Sequence, residues 1–176
     1  MRKNLLVVGL TASALASCAR QQATAPSAPE KAPPVAGEIG SRMPDFALKG
    51  LDGHAISSND LHSKVVLIDF WATWCKPCEK EMPGYQRLVD RYGPRGFIVI
   101  GLTLDTLKDS KNPRAFATKI GVRYPLAVAT DDLKARCGGI KALPTAMIYD
   151  RQGILRAKII GFEREEVIES AVKPLL

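Results

Sequence analysis

The tightest constraint on this chain is the run at 68–83, Ile-Asp-Phe-Trp-Ala-Thr-Trp-Cys-Lys-Pro-Cys-Glu-Lys-Glu-Met-Pro. The apolar, β-branched stretch at 65–70 does not alternate with polar residues, which predicts a central strand covered on both faces. It ends in a short aromatic loop, and an amphipathic helix follows over 75–92. Two cysteines separated by two residues sit at the start of that helix. A helix N-terminus carries partial positive charge and free N–H groups, so it favours a thiolate on Cys75. Lys76 adds a full charge beside it. The spacing lets Cys75 attack a substrate disulfide while Cys78 resolves the mixed disulfide.

Such a pair has other uses. A structural zinc site needs two further ligands, and Cys18, Cys137, His54 and His62 form no paired ligand motif. A copper(I) carrier would use the same two thiolates, but the C-terminal third of the chain has no histidine to complete it. A static disulfide rarely sits at a helix start behind an exposed Trp. His54 and His62 read as surface residues. Cys137 reads as a free core cysteine.

Asp-Phe-Trp-Ala before Trp-Cys-Lys-Pro-Cys, Pro83 five residues after Cys78, and Leu143-Pro144-Thr145 far downstream resemble the thioredoxin superfamily. Gly40 to Phe46 and the Cys-Lys-Pro-Cys-Glu-Lys-Glu-Met-Pro run narrow the resemblance to membrane-anchored thiol-disulfide oxidoreductases of the TlpA/ResA type. The resemblance covers roughly residues 38–176. It implies a thioredoxin-like α/β fold: a central mixed β-sheet flanked by helices, with an N-terminal β-hairpin and a central insert at 105–124. It implies a redox-active Cys75–Cys78 disulfide and a cis peptide bond before Pro144. It implies a proton acceptor, for which Asp69 and Glu81 both qualify. A carboxylate in an apolar setting has a raised pKa and can act as general base near neutrality. Trp74, Lys76, Pro77, Leu143 and Thr145 are the expected substrate contacts, and Trp71 is expected in the core. Pro77 looks reductase-like, which favours reduction of protein disulfides, with apocytochrome c as one candidate. Electrons would come from a membrane thiol-reductant donor. No cofactor and no metal are implied, and a monomer is expected. The opening at 40–46 also resembles peroxiredoxins, but the Pro-x-x-x-Thr-x-x-Cys of a thiol peroxidase is not met: Thr73 lies only two residues before Cys75.

An apolar stretch of 12 residues at 5–16 follows a short positive start. It is too short to span about 30 Å of hydrocarbon, so it reads as an export signal. Leu15-Ala16-Ser17-Cys18 resembles a bacterial lipobox, which implies cleavage after residue 17, lipidation of Cys18 and a cell-envelope or periplasmic location at the membrane. The Ala/Pro-rich stretch at 18–37 cannot bury a core and reads as a tether. The domain is expected at 38–176. Of the net charge of +7, Arg2 and Lys3 account for two and lie in the leader. The remaining +5 comes without a Lys/Arg run or a basic patch interleaved with aromatics, which argues against nucleic acid.

Further elements are expected as follows. A hairpin turns at 51–54. Pro83 kinks the first helix and Gly93 ends it. A second buried strand covers 97–104. A helix follows at 113–120, a strand at 126–128, and a short helix at 131–136 capped by Asp131 or Asp132. A hairpin of 145–149 with 154–160 precedes a last helix at 163–172, with Val167, Ile168 and Ala171 facing inward.

Overall fold

Every side chain of the strand Val65–Trp71 is buried. In the computed structural model, which describes residues 35–106 and 111–176, this strand is the middle of the sheet. The described elements are β1 (Ala47–Lys49), β2 (Ala55–Ser57), β3 (Val65–Trp71), α1 (Lys76–Tyr92), β4 (Phe97–Thr103), α2 (Pro113–Lys119), β5 (Leu126–Val128), α3 (Asp131–Arg136), β6 (Thr145–Tyr149), β7 (Leu155–Ile160) and α4 (Glu165–Val172). The export signal, Cys18 and nearly all of the expected tether lie outside the described residues. Gly37, at the expected end of the tether, is buried and accepts a hydrogen bond from Lys158 Nζ at 3.2 Å.

The five-stranded sheet has the order β5-β4-β3-β6-β7. β3, β4 and β5 are parallel, while β6 and β7 are antiparallel to their neighbours. β1 and β2 form the separate N-terminal hairpin. Side chains alternate along β3 with period two. Val65, Leu67 and Trp71 join the core under α1 and α4. Val66, Ile68 and Phe70 join the core on the opposite face, with Leu133 of α3 and Ile56 of the hairpin. The result is the mixed-sheet α/β sandwich that the sequence implies.

Two local expectations, the cap of α3 and the inward face of α4, need correction. α1 contains Pro83 and ends at Tyr92 with Gly93 as its C-cap, as expected. Gly93 is right-handed helical (φ −52°) and opens a 3₁₀ turn at Gly93–Arg95; the chain reverses at Gly96, at φ 89°. A left-handed residue suits glycine, which has no Cβ to clash. α3 is capped by Thr130, whose hydroxyl accepts the Leu133 N–H at 3.2 Å, and neither Asp131 nor Asp132 supplies the cap. In α4, Ile168 and Val172 are buried while Val167 is 38% exposed. Both corrections arise because several short polar or apolar residues sit within one turn, and packing selects among them.

Candidate active site

Cys75 is the N-cap of α1, and its Sγ accepts the Cys78 N–H at 3.2 Å. An N-cap position orients the helix's free N–H groups toward the sulfur. The two cysteines are joined by a disulfide with Cα atoms 5.3 Å apart. Cys75 is 5% exposed and Cys78 is fully buried, so substrate reaches Cys75 first. Lys76 points outward and pairs with Glu79 at 3.0 Å.

A groove of about 590 Å³ passes over the disulfide. Trp74, Cys75, Lys76, Pro77, Leu104 and Leu143 line it, along with the 140–142 segment. Trp74 is 57% exposed, a flat apolar surface with one polar edge. The Leu143–Pro144 peptide bond is cis. Thr145 does not line the groove: it is buried, and its hydroxyl donates to the Ala142 carbonyl at 2.8 Å, holding the loop. Trp71 is fully buried in the core and stacks on Phe116.

Beneath the disulfide, on the α1 side of the sheet, lie the two carboxyl groups that the sequence singles out. Asp69 sits within β3, in register between Gly101 of β4 and Ala146 of β6. It is fully buried, and among the described residues neither carboxylate oxygen has a hydrogen-bond partner. Desolvation pushes its pKa well above the ordinary value, and the nearby charge of Glu81 pushes further. Glu81 is buried on α1, three residues after Cys78, and receives the Glu163 N–H at 3.4 Å. Burial raises its pKa to about 7, against the opposing pull of the Tyr85 hydroxyl and the Glu163 N–H. Tyr85 and Tyr124 are buried beside the pair, and desolvation followed by the two carboxylates holds both phenols well above their usual pKa. Near neutral pH, Glu81 is poised to take or give a proton.

Sequence reasoning missed the group that holds the aromatic loop. Asp105, just after β4, is buried and accepts the Thr73 N–H at 3.0 Å and the Thr73 hydroxyl at 2.7 Å. It also accepts the Thr103 hydroxyl. Together these fix the residues immediately before Cys75. The only trace in the sequence is a Thr-Leu-Asp at the end of an apolar strand. Its partner lies 32 positions away, beyond any local pattern. Tyr85 and Tyr124 were likewise not singled out.

The description "AhpC/TSA family" belongs to the family model that matches residues 39–158. The thiol-disulfide oxidoreductase ResA of Bacillus anthracis is 34% identical over 139 residues, spanning 78% of this chain and 79% of that protein. The thioredoxin-like protein YneN of Bacillus subtilis is 33% identical over 130 residues, spanning 74% of this chain and 76% of YneN. Among solved structures, a thiol:disulfide interchange protein of the thioredoxin family from Chlorobium tepidum superposes with a TM-score of 0.70 at 27% identity, covering 78% of this chain and 97% of that one. The pneumococcal exposed lipoprotein thioredoxin Etrx1 of Streptococcus pneumoniae superposes with a TM-score of 0.62 at 26% identity, covering 75% and 100%.

Proposed function

The chain belongs to the AhpC/TSA family, among the thioredoxin-like thiol-disulfide oxidoreductases of the ResA type, and from that premise we propose that it reduces protein disulfides in the cell envelope with Cys75 as attacking and Cys78 as resolving thiol. The observation that carries this reading is the position of Cys75: N-cap of α1, at the floor of an apolar groove, with its bonded partner Cys78 wholly buried.

In the dithiol form, the Cys75 thiolate attacks one sulfur of the substrate disulfide and expels the other as a thiolate. Glu81 then takes the proton of Cys78. The Cys78 thiolate attacks Cys75 Sγ and releases the second substrate thiol. Two electrons pass to the substrate, and the chain is left with the Cys75–Cys78 disulfide. Asp69, buried beside Glu81, has its pKa raised by burial and by the Glu81 charge, so the two carboxyls disfavour ionising together. Leu143, Trp74, Lys76 and Pro77 seat the substrate backbone, and Pro144 and Thr145 shape the loop opposite.

Cys18 is the lipid attachment point, and the Ala/Pro-rich segment after it is the tether. The lipobox supports this reading, as does the likeness to a lipoprotein thioredoxin. Among the described residues, no helix is long and apolar enough to cross a membrane. A membrane thiol donor returns the chain, as a monomer, to the dithiol state. An apocytochrome c disulfide is one substrate this chemistry serves.

The test is a trapping experiment. The reduced Cys78→Ser chain should form a stable mixed disulfide through Cys75 with a disulfide-bonded protein substrate, while the native chain turns it over. Adducts through Cys78 in a Cys75→Ser chain, or turnover by either variant, would overturn the assignment of roles.

A further inference from the structure

The groove over the disulfide does not end at Lys76. A second groove of about 380 Å³ begins there and runs between the start of α1 and α2. Among the described residues, its walls carry three lysines, Lys76, Lys111 and Lys119, and one acid, Glu79, with Phe116 between them. Lys111 Nζ lies over the Phe116 ring, 5.5 Å from its centre. Lys141 stands at the other end of the first groove.

Part of the basic surface is already paired within the fold. Arg87, Arg91, Arg123, Arg136 and Arg156 each close on a carboxylate. Among the described residues, Lys111, Lys119 and Lys141 have no ion-pair partner. Glu79 feels the whole group: Lys76 above all, then Lys111 and Lys119, hold its carboxyl below the usual range. Glu79 therefore neutralises one lysine and leaves the others for a ligand.

We propose that this lysine-lined groove is the docking surface for acidic residues flanking the substrate's disulfide, so that the enzyme selects polypeptides with carboxylates beside the reacting cysteine. The inference rests on the reductase reading above and adds the substrate's chemical class. A polypeptide seated over Cys75 along Trp74 and Leu143 has one flank directed past Lys76 toward Lys111 and Lys119. Exposed charges of one sign raise encounter rates with the opposite sign and penalise the wrong partner more than they add affinity. Screening should therefore weaken the preference.

The test uses the full chain, reduced and freed of reductant, in single turnover. Its substrates are disulfide-bridged peptides of one sequence, flanked by glutamates, by neutral residues or by lysines. The acidic peptide should react about tenfold faster than the basic one at low ionic strength. The gap should close as salt rises toward about 1 M, where the screening length is roughly 3 Å. The chain with both Lys111→Glu and Lys119→Glu should lose or reverse the ranking; the ratio within one variant cancels any loss common to all substrates. Equal rates for the three peptides, or a ranking that survives the double substitution, would overturn the docking surface. So would a flat ranking accompanied by lysine-dependent binding to vesicles of anionic lipid, which would assign the groove to a membrane. Failure of the native chain to reduce even the neutral bis(2-hydroxyethyl) disulfide would instead remove the reductase reading, and the docking surface with it.

Discussion

Cys75 and Cys137 both sit at the end of a helix, and the two ends are opposite. Cys75 is the N-cap of α1, accepts a backbone N–H and opens onto a groove. Cys137 is the C-cap of α3, fully buried in the core on the other face of the sheet. Helix N-terminal partial charge favours a thiolate, and the C-terminal end opposes it. Burial raises the Cys137 thiol to about 11, although Lys158 and Arg136 pull the other way. The same side chain caps a helix beside a groove in one place and fills the core in the other, and position alone separates them.

The sharpest way to break this contrast is alkylation of the reduced chain near neutral pH. A thiol with a pKa near 11 is ionised in only about one molecule in ten thousand at pH 7. Cys75 should therefore be modified at least about a thousandfold faster than Cys137, read by peptide mass spectrometry. Comparable rates would show that the α1 terminus does not activate Cys75. Turnover should follow the same division, lost in Cys75→Ser and retained in Cys137→Ala.

Glu81→Gln probes the acid beneath the disulfide. Resolution by Cys78 should slow by roughly a hundredfold, a common magnitude for removing a general base. The rise in rate as pH passes through about 7 should disappear. An unchanged pH profile would exclude Glu81 as the proton acceptor. The same substitution has a stability signature of known sign. The folded-state pKa of Glu81 is raised, so the folded form holds this proton more tightly than the unfolded one. Stability from this group is fully present below the ordinary value of 4.5 and falls as pH rises to about 7. Glu81→Gln should thus stabilise the fold by up to about 3 kcal/mol above neutral pH and by almost nothing near pH 4. Denaturant titrations at the two pH values check this.

Smaller effects belong to Cys137. Cys137→Ser places a hydroxyl in an apolar site and should cost about 1–3 kcal/mol without touching the reduction rate. Lys158 Nζ bonds both the Cys137 and Gly37 carbonyls at 3.2 Å. Lys158→Met should cost about 1 kcal/mol and raise the Cys137 pKa further. A drop in turnover from either change would mean that the two cysteine environments are coupled.

Much of this molecule was legible in the chain because its signals are local. The apolar run of β3 and the C-x-x-C at a helix start each span a few residues, so the sheet's centre and the cysteine pair could be read directly, while the cis bond before Pro144 followed from the resemblance that Leu-Pro-Thr carries. Asp69 and Glu81 were legible as acids near the pair. The burial of Asp69 followed from its place in the apolar strand; that of Glu81 did not, because its position on the helix carries no information about which loop covers it.

Local sequence determined which residues could do chemistry: two thiols, two acids, an exposed Trp and a proline. The tertiary structure decided which of them are poised to do it. Asp105 reaches Thr73 because parallel β3 and β4 end side by side. The pKa of Glu81 rises because the sheet and the loop before α4 close over it. Lys76, Lys111 and Lys119 line one groove because α2 and the residue before its cap lie along the start of α1. Each of these depends on removing water or on joining residues far apart in sequence, and neither desolvation nor long-range proximity is encoded at any single position.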